Sequence, residues 1–379
     1  MNVIFTCGGT GGHINPAIAV ANIWRERYPD SKILFICGTD PLEKTLVPKA
    51  GFDMVSIEAY GISRKKSLEA LWGNLGSINH ARKSIAKCKK IIRQFQPDVI
   101  LGTGGYASFP ALLAGSMLGI PTCVHESNAM PGLTTRMLAS RVDKVLVCFE
   151  ESIRHYKKKA ASKIEVVGMP VHRDFVYSQK EQCRQQLKMD EKPVVMSAFG
   201  SQGAKAMNVC IAQLFALEKA AGFPFRHIHA VGKSGMSWMP QLVKEKGVDL
   251  SQDTDITMVE YLYNMPTVMA ASDVMISRAG ASTCNEIAAS GTPSILVPSP
   301  NVTDNHQEKN ARALADRGGA VLVLESECSA QVLMEEITAL LNDKTRYHNM
   351  RKALQTLVVP DSAERLCTIM EKLARKKAR

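Results

Sequence analysis

The sequence predicts an α/β protein of two domains, each built on a doubly wound, mostly parallel sheet. Three observations predict it. Short runs rich in Val and Ile alternate with helical periods along the whole chain, the pattern of parallel strands buried between helices. At 379 residues the chain exceeds what one hydrophobic core ordinarily serves, so two domains are expected. Two glycine-rich turns also occupy matching places in the two halves. Gly8-Gly9-Thr10-Gly11-Gly12-His13 follows the apolar run Asn2–Cys7, and Gly200-Ser201-Gln202-Gly203-Ala204 follows Val194–Phe199.

The apolar runs of the first half place strands near Val3–Cys7, Ile33–Cys37, Val99–Leu101, Thr122–His125, Val145–Cys148 and Ile164–Val167. Between Arg64 and Arg93, Leu68, Leu71, Trp72, Leu75 and Ile78 recur at helical spacing, with Gly73 and Gly76 expected to interrupt that helix. Gly168-Met169-Pro170 closes the first set. In the second half the runs lie near Val194–Phe199, Ile228–Val231, Ile256–Val259, Val274–Ser277, Ile295–Val297 and Val321–Leu324. A last helical stretch, Ser362–Arg375, follows Pro360. The expected division is residues 1–168, residues 169–358 and a C-terminal segment 359–379.

Hydrophobic content of 45% and charged content of 22% are those of a globular protein. A net charge of +11 points to an anionic partner: nucleic acid, an acidic membrane or a phosphorylated substrate. Recognisable nucleic-acid motifs are absent, which weighs against the first. The ten cysteines form no C-x-x-C pair and several lie in apolar runs, as buried thiols of a reducing compartment do. The N-terminus has no basic leader, and the longest mostly apolar stretch, Tyr106–Ile120, is broken by Ser108, Pro110 and Ser116. The chain is expected to lie on a membrane at most, without crossing it.

A glycine turn that opens a helix presents backbone N–H groups at the positive end of the helix dipole, where phosphate oxygens bind. The turn Gly8–His13 does not continue into a Walker loop. Read as G-x-G-x-x-G from Gly9, it has Ile14 where a dinucleotide site needs glycine or alanine. That weakens an NAD-linked oxidoreductase, although Asp40 stands where a ribose-binding acid would. A third cluster, Gly102-Thr103-Gly104-Gly105-Tyr106, and the segment His125-Glu126-Ser127-Asn128 also end expected strands, so they are expected to share one rim of a cleft with His13. Ser277–Glu286 repeats the strand, glycine turn, helix order. There Glu286 is open to two readings, a carboxylate for a ribose diol or a first-turn partner of the helix dipole.

These segments, together with Asp304-Asn305-His306-Gln307 and Asn310-Ala311, resemble in order the motifs of the MurG family of transferases. The resemblance covers nearly the whole chain. It implies the GT-B fold, with two Rossmann-like domains facing across a cleft and a C-terminal helix crossing back to the first. It implies inverting transfer of GlcNAc from UDP-GlcNAc to the C4 hydroxyl of undecaprenyl-pyrophosphoryl-MurNAc-pentapeptide (lipid I), giving lipid II of peptidoglycan. The partners implied are UDP-GlcNAc, lipid I and an anionic membrane surface on the cytoplasmic side, with no cofactor and no metal. By the same resemblance, Ser201 and Ala281, Ser282 and Thr283 meet the diphosphate, Glu286 the ribose, the backbone at Leu262 the uracil, and Gln307 the GlcNAc hydroxyls. Thr10, Gly11, Gly12 and Asn128 touch the sugar side, and Gly104 and Gly105 form an acceptor phosphate loop. Arg173 is favoured as the diphosphate arginine, with His172 the alternative, because Met169-Pro170-Val171-His172-Arg173 departs from the family's usual Asn-Pro-(Val/Ile)-Arg.

Inverting transfer needs a base for the acceptor hydroxyl and stabilisation of the departing diphosphate. His13 is the first candidate base, since imidazole titrates near neutrality, and Tyr106 and Glu126 are lesser candidates. Asp253-Thr254-Asp255 has the form of a metal-binding motif but is expected in a polar loop away from the glycine turns. Leu68, Leu71, Trp72 and Leu75, surrounded by Lys and Arg, are read either as an interfacial membrane stripe or as an ordinary face packed on the sheet. Two rivals stand beside this reading: another GT-B glycolipid synthase using a UDP-sugar, and a non-enzymatic basic module.

Overall fold

The structure is a computed structural model that describes residues 1–58, 68–302, 305–359 and 361–377, with the side chains of 68–79 and 377 outside the description. It forms two compact units, Met1–His172 with Asp361–Arg379, and Arg173–Pro360.

The first unit begins β1 (Val3–Cys7), α1 (Gly11–Arg27), β2 (Ile33–Cys37), α2 (Pro41–Lys49), β3 (Asp53–Ser56) and α3 (Leu68–Phe95). It continues β4 (Val99–Gly102), α4 (Ser108–Met117), β5 (Thr122–Glu126), α5 (Leu133–Leu138), β6 (Lys144–Val147) and β7 (Ile164–Val166). The seven strands are all parallel, in the order β3-β2-β1-β4-β5-β6-β7. Alternate residues of β1 serve opposite faces: Val3, Phe5 and Cys7 join Trp24 and Phe35 in one core, while Ile4 joins Ile36, Ile100 and Leu112 in the other. Both faces being covered is why β1 reads as one apolar run.

Two features differ from expectation. The strand β3 was not expected: it is an edge strand, and only Met54 and Val55 of Asp53–Ser56 are apolar. The break expected at Gly73 and Gly76 is absent, since α3 is one helix of 28 residues. An interior glycine costs a helix about 1 kcal/mol. Further along, Cys88 and Ile92 bury one face of α3 in the core, and burial of two such side chains outweighs that cost.

The second unit begins α6 (Arg173–Tyr177), α7 (Lys180–Gln186), β8 (Val194–Ala198), α8 (Lys205–Ala220), β9 (Arg226–Ala230), α9 (Met239–Glu245) and β10 (Ile256–Val259). It continues α10 (Met265–Ala271), β11 (Val274–Ser277), α11 (Ala281–Ser290), β12 (Ser294–Leu296) and α12 (His306–Ala315). It ends β13 (Val321–Leu322), α13 (Ala330–Asn342) and α14 (Lys344–Leu357). Its six parallel strands run β10-β9-β8-β11-β12-β13. Inside this core runs a polar chain: Ser197 Oγ lies 2.8 Å from His227 Nε2 and 2.7 Å from His229 Nδ1, and His227 Nδ1 lies 2.7 Å from Glu218 Oε1. All four residues are fully buried.

The last helix, α15 (Ser362–Lys377), belongs to the first unit. Ala363, Leu366, Cys367, Met370 and Ala374 recur at helical spacing and join the core that holds Val20 and Trp24 of α1. Cys367 Sγ donates to the Val20 carbonyl at 3.4 Å.

Candidate functional site

Each sheet has a switch point, between β1 and β4 in the first unit and between β8 and β11 in the second, where the strand order reverses. Open α/β sheets bind ligands at the carboxyl ends of strands there. Three of the glycine clusters and the Ser277–Glu286 segment follow these four strands.

In the first unit, β1 ends at Cys7 and α1 starts at Gly11, with Thr10 as an extended N-cap whose side chain makes no capping bond. His13 stands in the first turn. Its Nδ1 lies 2.9 Å from the Gly8 carbonyl and 3.3 Å from Thr10 Oγ1. A carbonyl only accepts, so Nδ1 carries the hydrogen and, in the neutral ring, Nε2 carries the lone pair. The turn after β4 closes on this ring: a Cβ at Gly104 (φ +114°) would lie 2.5 Å from His13 Cδ2 and 2.9 Å from Nε2. A Cβ at Gly105 (φ +82°) would lie 2.2 Å from the Gly8 carbonyl oxygen. Thr103 Oγ1 donates to the His13 carbonyl at 2.6 Å. Glycine is required at both positions by close approach of backbone and ring as well as by positive φ.

One of the N–H groups of the first turn, expected as a set to be left for phosphate oxygens, is already engaged: Gly9 N–H donates to Glu43 Oε1 at 2.6 Å. Burial raises the Glu43 carboxyl above the usual range, opposed by the Gly9 N–H. Sequence reasoning missed Glu43. Its one signal, a place in the first turn after the N-cap Asp40 and Pro41, is that of any helix-start acid. His125, expected to share one rim of a cleft with His13, is held inside the core. It is fully buried, with Nε2 2.9 Å from the Gly168 carbonyl and 3.5 Å from Cys148 Sγ, and burial lowers its pKa.

Glu126 is buried as well. Its Oε1 accepts from Asn128 N at 3.0 Å and Asn128 Nδ2 at 3.1 Å, and its Oε2 from Gly132 N at 2.9 Å. The carboxylate is thus engaged in holding the loop that carries Asn128. Tyr106 is 60% exposed, Thr10 is exposed, and Gly11, Gly12 and Asn128 are half-buried.

In the second unit, the turn after β8 folds back so that Gly203 N donates to the Gly200 carbonyl at 3.0 Å. A Cβ at Gly203 would lie 2.2 Å from the Val231 carbonyl oxygen, so the turn packs directly on the chain leaving β9. Ser201 is exposed, and α8 follows without a side-chain cap. After β11, Arg278 is drawn into an ion pair with Glu325 and donates to the Val297 carbonyl at 3.1 Å. Gly280 then caps α11, whose first turn holds Ala281, Ser282 and Thr283, with no acidic residue and no side-chain cap. The hydroxyls of Ser277 and Ser282 are buried with no hydrogen-bond partner among the described residues. The positive start of α11, with the unpartnered Ser282 hydroxyl in its first turn, is fitted to an anion.

Glu286 lies in the second turn of α11, beyond the reach of a first-turn dipole partner, which removes that reading. Burial pushes its carboxyl up to about 7. Tyr261 is close enough for Glu286 to raise its hydroxyl further after burial has done so. Leu262 is buried between the exposed Tyr261 and Tyr263, whose rings meet edge to face at 5.0 Å. Gln307, in the first turn of α12, accepts from Ser299 N at 2.9 Å through Oε1. Asn310 of the same helix donates to the Ala279 carbonyl at 3.2 Å, tying α12 to the approach of α11. Arg173 opens α6 and, like His172 before it, is exposed.

The carboxylates of Asp253-Thr254-Asp255 are engaged elsewhere. Asp253 pairs with Lys219 at 2.7 Å and Asp255 with Lys192 at 2.8 Å. The Asp255 backbone carbonyl accepts from His227 N at the amino end of β9, the opposite end of the sheet from the glycine turns. The side chains of Leu68, Leu71, Trp72 and Leu75 lie outside the described residues. From His80 onward α3 buries Ser84, Cys88 and Ile92 and exposes Arg82, Lys83, Lys87 and Lys90. Among the described residues no helix is long and apolar enough to cross a membrane.

Comparison with known proteins gives two family matches, the glycosyltransferase family 28 N-terminal domain over residues 3–147 and its C-terminal domain over residues 194–366. The chain is 37% identical over 377 residues to UDP-N-acetylglucosamine--N-acetylmuramyl-(pentapeptide) pyrophosphoryl-undecaprenol N-acetylglucosamine transferase 1 of Bacillus cereus, covering 99% of this chain and 100% of that one. It is 37% identical to the corresponding transferase of Acetivibrio thermocellus over 379 residues, 100% of both chains. Among solved structures, MurG of Acinetobacter baumannii matches with a TM-score of 0.74 at 24% identity, over 98% of this chain and 99% of that one. UDP-GlcNAc 2-epimerase from Neisseria meningitidis bound to UDP-GlcNAc matches with a TM-score of 0.66 at 16% identity, over 98% and 100%. These structural likenesses show the fold, which is GT-B.

Proposed function

The chain belongs to glycosyltransferase family 28, and from that premise we propose that it is the N-acetylglucosaminyltransferase that converts lipid I to lipid II. It moves GlcNAc from UDP-GlcNAc to the C4 hydroxyl of undecaprenyl-pyrophosphoryl-MurNAc-pentapeptide, with inversion. The observation that carries the donor half is the amino end of α11. A helix start without a side-chain cap, two buried hydroxyls with no partner among the described residues and a carboxyl raised by burial stand within ten residues of one another, Ser277 to Glu286. The full-length identity to transferases named for this reaction supports the acceptor.

In this reading the second unit holds the nucleotide. The diphosphate lies on Ser201 and on Ala281, Ser282 and Thr283, with Arg173 as its arginine. Glu286 accepts from both ribose hydroxyls, and the backbone at Leu262 meets the uracil edge. Gln307 has its oxygen engaged by Ser299, so its amide N–H groups serve the GlcNAc hydroxyls. The first unit supplies Thr10, Gly11, Gly12 and Asn128 to the sugar side, with Gly104 and Gly105 shaping the loop for the acceptor phosphates. His13 is the base, and Tyr106, 60% exposed in the turn after β4, is a lesser candidate for that role.

His13 Nε2 takes the C4 hydroxyl proton as that oxygen attacks the anomeric carbon. The bond from that carbon to the diphosphate oxygen breaks, and UDP leaves with the electron pair. The amino end of α11 and its neighbouring N–H groups face the charge that grows on the diphosphate, so no cofactor and no metal ion enters this reading. The lipid carrier places the protein peripherally on the cytoplasmic face of an anionic membrane, with the basic residues of α3 turned to it. Making lipid II links the chain to wall growth, cell shape and division.

The test is transfer itself. Incubated with UDP-GlcNAc and a short-chain lipid I analogue in EDTA, the protein yields the GlcNAc-MurNAc disaccharide. Folded protein that yields no disaccharide under these conditions contradicts the proposal.

A further inference from the structure

We propose that Glu43 is a positioning residue for His13, acting through the single peptide group that joins Gly8 to Gly9. The two ends of one amide are each engaged: Gly9 N–H donates to Glu43 Oε1 at 2.6 Å, and the Gly8 carbonyl accepts from His13 Nδ1 at 2.9 Å. A peptide group is planar and stiff, so the carboxylate that fixes its N–H also fixes the direction of its carbonyl. A charged acceptor at one end strengthens the bond at the other, because hydrogen bonds in a chain polarise one another. The imidazole is thereby held with hydrogen on Nδ1 and the lone pair on Nε2. No proton passes along the amide.

The surroundings fit this line closely. A Cβ at Gly8 would lie 2.8 Å from Glu43 Oε1, one at Gly105 2.2 Å from the Gly8 carbonyl oxygen, and one at Gly104 2.5 Å from the His13 ring. Three glycines thus leave bare backbone around carboxylate, amide and imidazole. Glu43 is itself fixed: it is buried in the first turn of α2, whose N-cap Asp40 accepts from Leu42 N at 2.8 Å. The charged and titratable groups facing Glu43 are Asp40 and Lys44 on its own helix and Cys7 at the end of β1. His125 faces His13 from β5. Burial raises the Glu43 carboxyl, so the Gly9 bond also helps keep it ionised.

The inference rests on His13 as the base, and its test separates the two. Glu43→Gln keeps an acceptor oxygen and removes the charge. In the full-length chain it lowers kcat about three- to tenfold and leaves the KM for UDP-GlcNAc within about twofold. By NMR of histidine-labelled protein, the His13 imidazole pKa falls by about half a unit or more. In a His13→Asn background the kcat penalty of Glu43→Gln disappears. An unmoved His13 pKa, or a penalty that persists in that background, overturns the proposal. If His13→Asn keeps normal turnover while Glu43→Gln still moves the His13 pKa, the base assignment fails and the coupling stands. Should Glu43→Gln not fold, the unaltered chain decides: the Gly9 amide proton is shifted downfield and moves when Glu43 titrates, and an amide insensitive to that titration overturns the proposal.

Discussion

With the donor ribose on Glu286, as proposed, donor binding is a proton-linked event. Its carboxyl is raised from 4.5 to about 7 by burial. A ribose diol donates two hydrogen bonds and so requires the ionised form. At pH 6 only about a tenth of the carboxyl is ionised, so affinity for UDP-GlcNAc is about tenfold weaker there than above pH 8, or about 1.4 kcal/mol. UDP-GlcNAc is the right probe because its diphosphate is a diester with no ionisation in this range. Calorimetry at pH 6.5 in buffers of different ionisation enthalpy should show about 0.8 of a proton released on binding. Glu286→Gln should remove both the slope and the proton release, with the high-pH affinity lowered by about 1–3 kcal/mol. Affinity that stays flat from pH 6 to 8 in the unaltered chain would refute the reasoning. The unliganded protein carries the same linkage with the opposite sense. A carboxyl raised in the folded state binds protons more tightly there, so stability falls as pH rises from 4.5 to about 7, by up to about 3 kcal/mol, and Glu286→Gln removes that fall.

Three further outcomes are expected. Gly104→Ala places a Cβ 2.5 Å from the His13 ring at φ +114°, so kcat should fall at least about tenfold while the affinity for UDP, whose contacts are assigned to the other unit, stays unchanged in calorimetry. His229 has its pKa lowered from 6.5 to about 3, by burial and then by His227. The unfolded chain therefore takes this proton first, and stability is lost as pH falls from 6.5 towards 3 by about 1.4 kcal/mol per pH unit. His229→Gln should flatten that loss in urea titrations, and because Glu286 acts oppositely over part of the range each needs its own variant. Leu366→Ala opens a cavity between α15 and α1 and should cost the first unit about 2–5 kcal/mol, read as a lowered Tm, without changing nucleotide affinity.

What was legible in the sequence follows from burial. Strands covered on both faces, such as β1, β8 and β11, read as near-continuous apolar runs, and their bounds in sequence and structure agree within a residue or so. The edge strand β3 has no such run, and its pairing with β2 is what makes it a strand. Glycine turns were legible because few other residues accept positive φ. Which of their N–H groups are already engaged was not, since the partner of Gly9 is Glu43, 34 positions away and disguised as a helix-start acid. His125 closes a strand in sequence and stands next to the expected cleft rim, yet its ring is buried with Nε2 at the Gly168 carbonyl, a partner 43 positions away. The buried chain Glu218–His227–Ser197–His229 was hidden for a related reason: polar residues in a strand look solvent-facing until their partners on neighbouring elements are known.

The most direct measurement of the central claim is a crystal structure with UDP-GlcNAc. The account predicts both ribose hydroxyls within hydrogen-bonding distance of the Glu286 carboxylate, and a diphosphate oxygen accepting from Ser282 Oγ at the start of α11. A nucleotide seated away from α11, or a ribose that leaves Glu286 untouched, would contradict it.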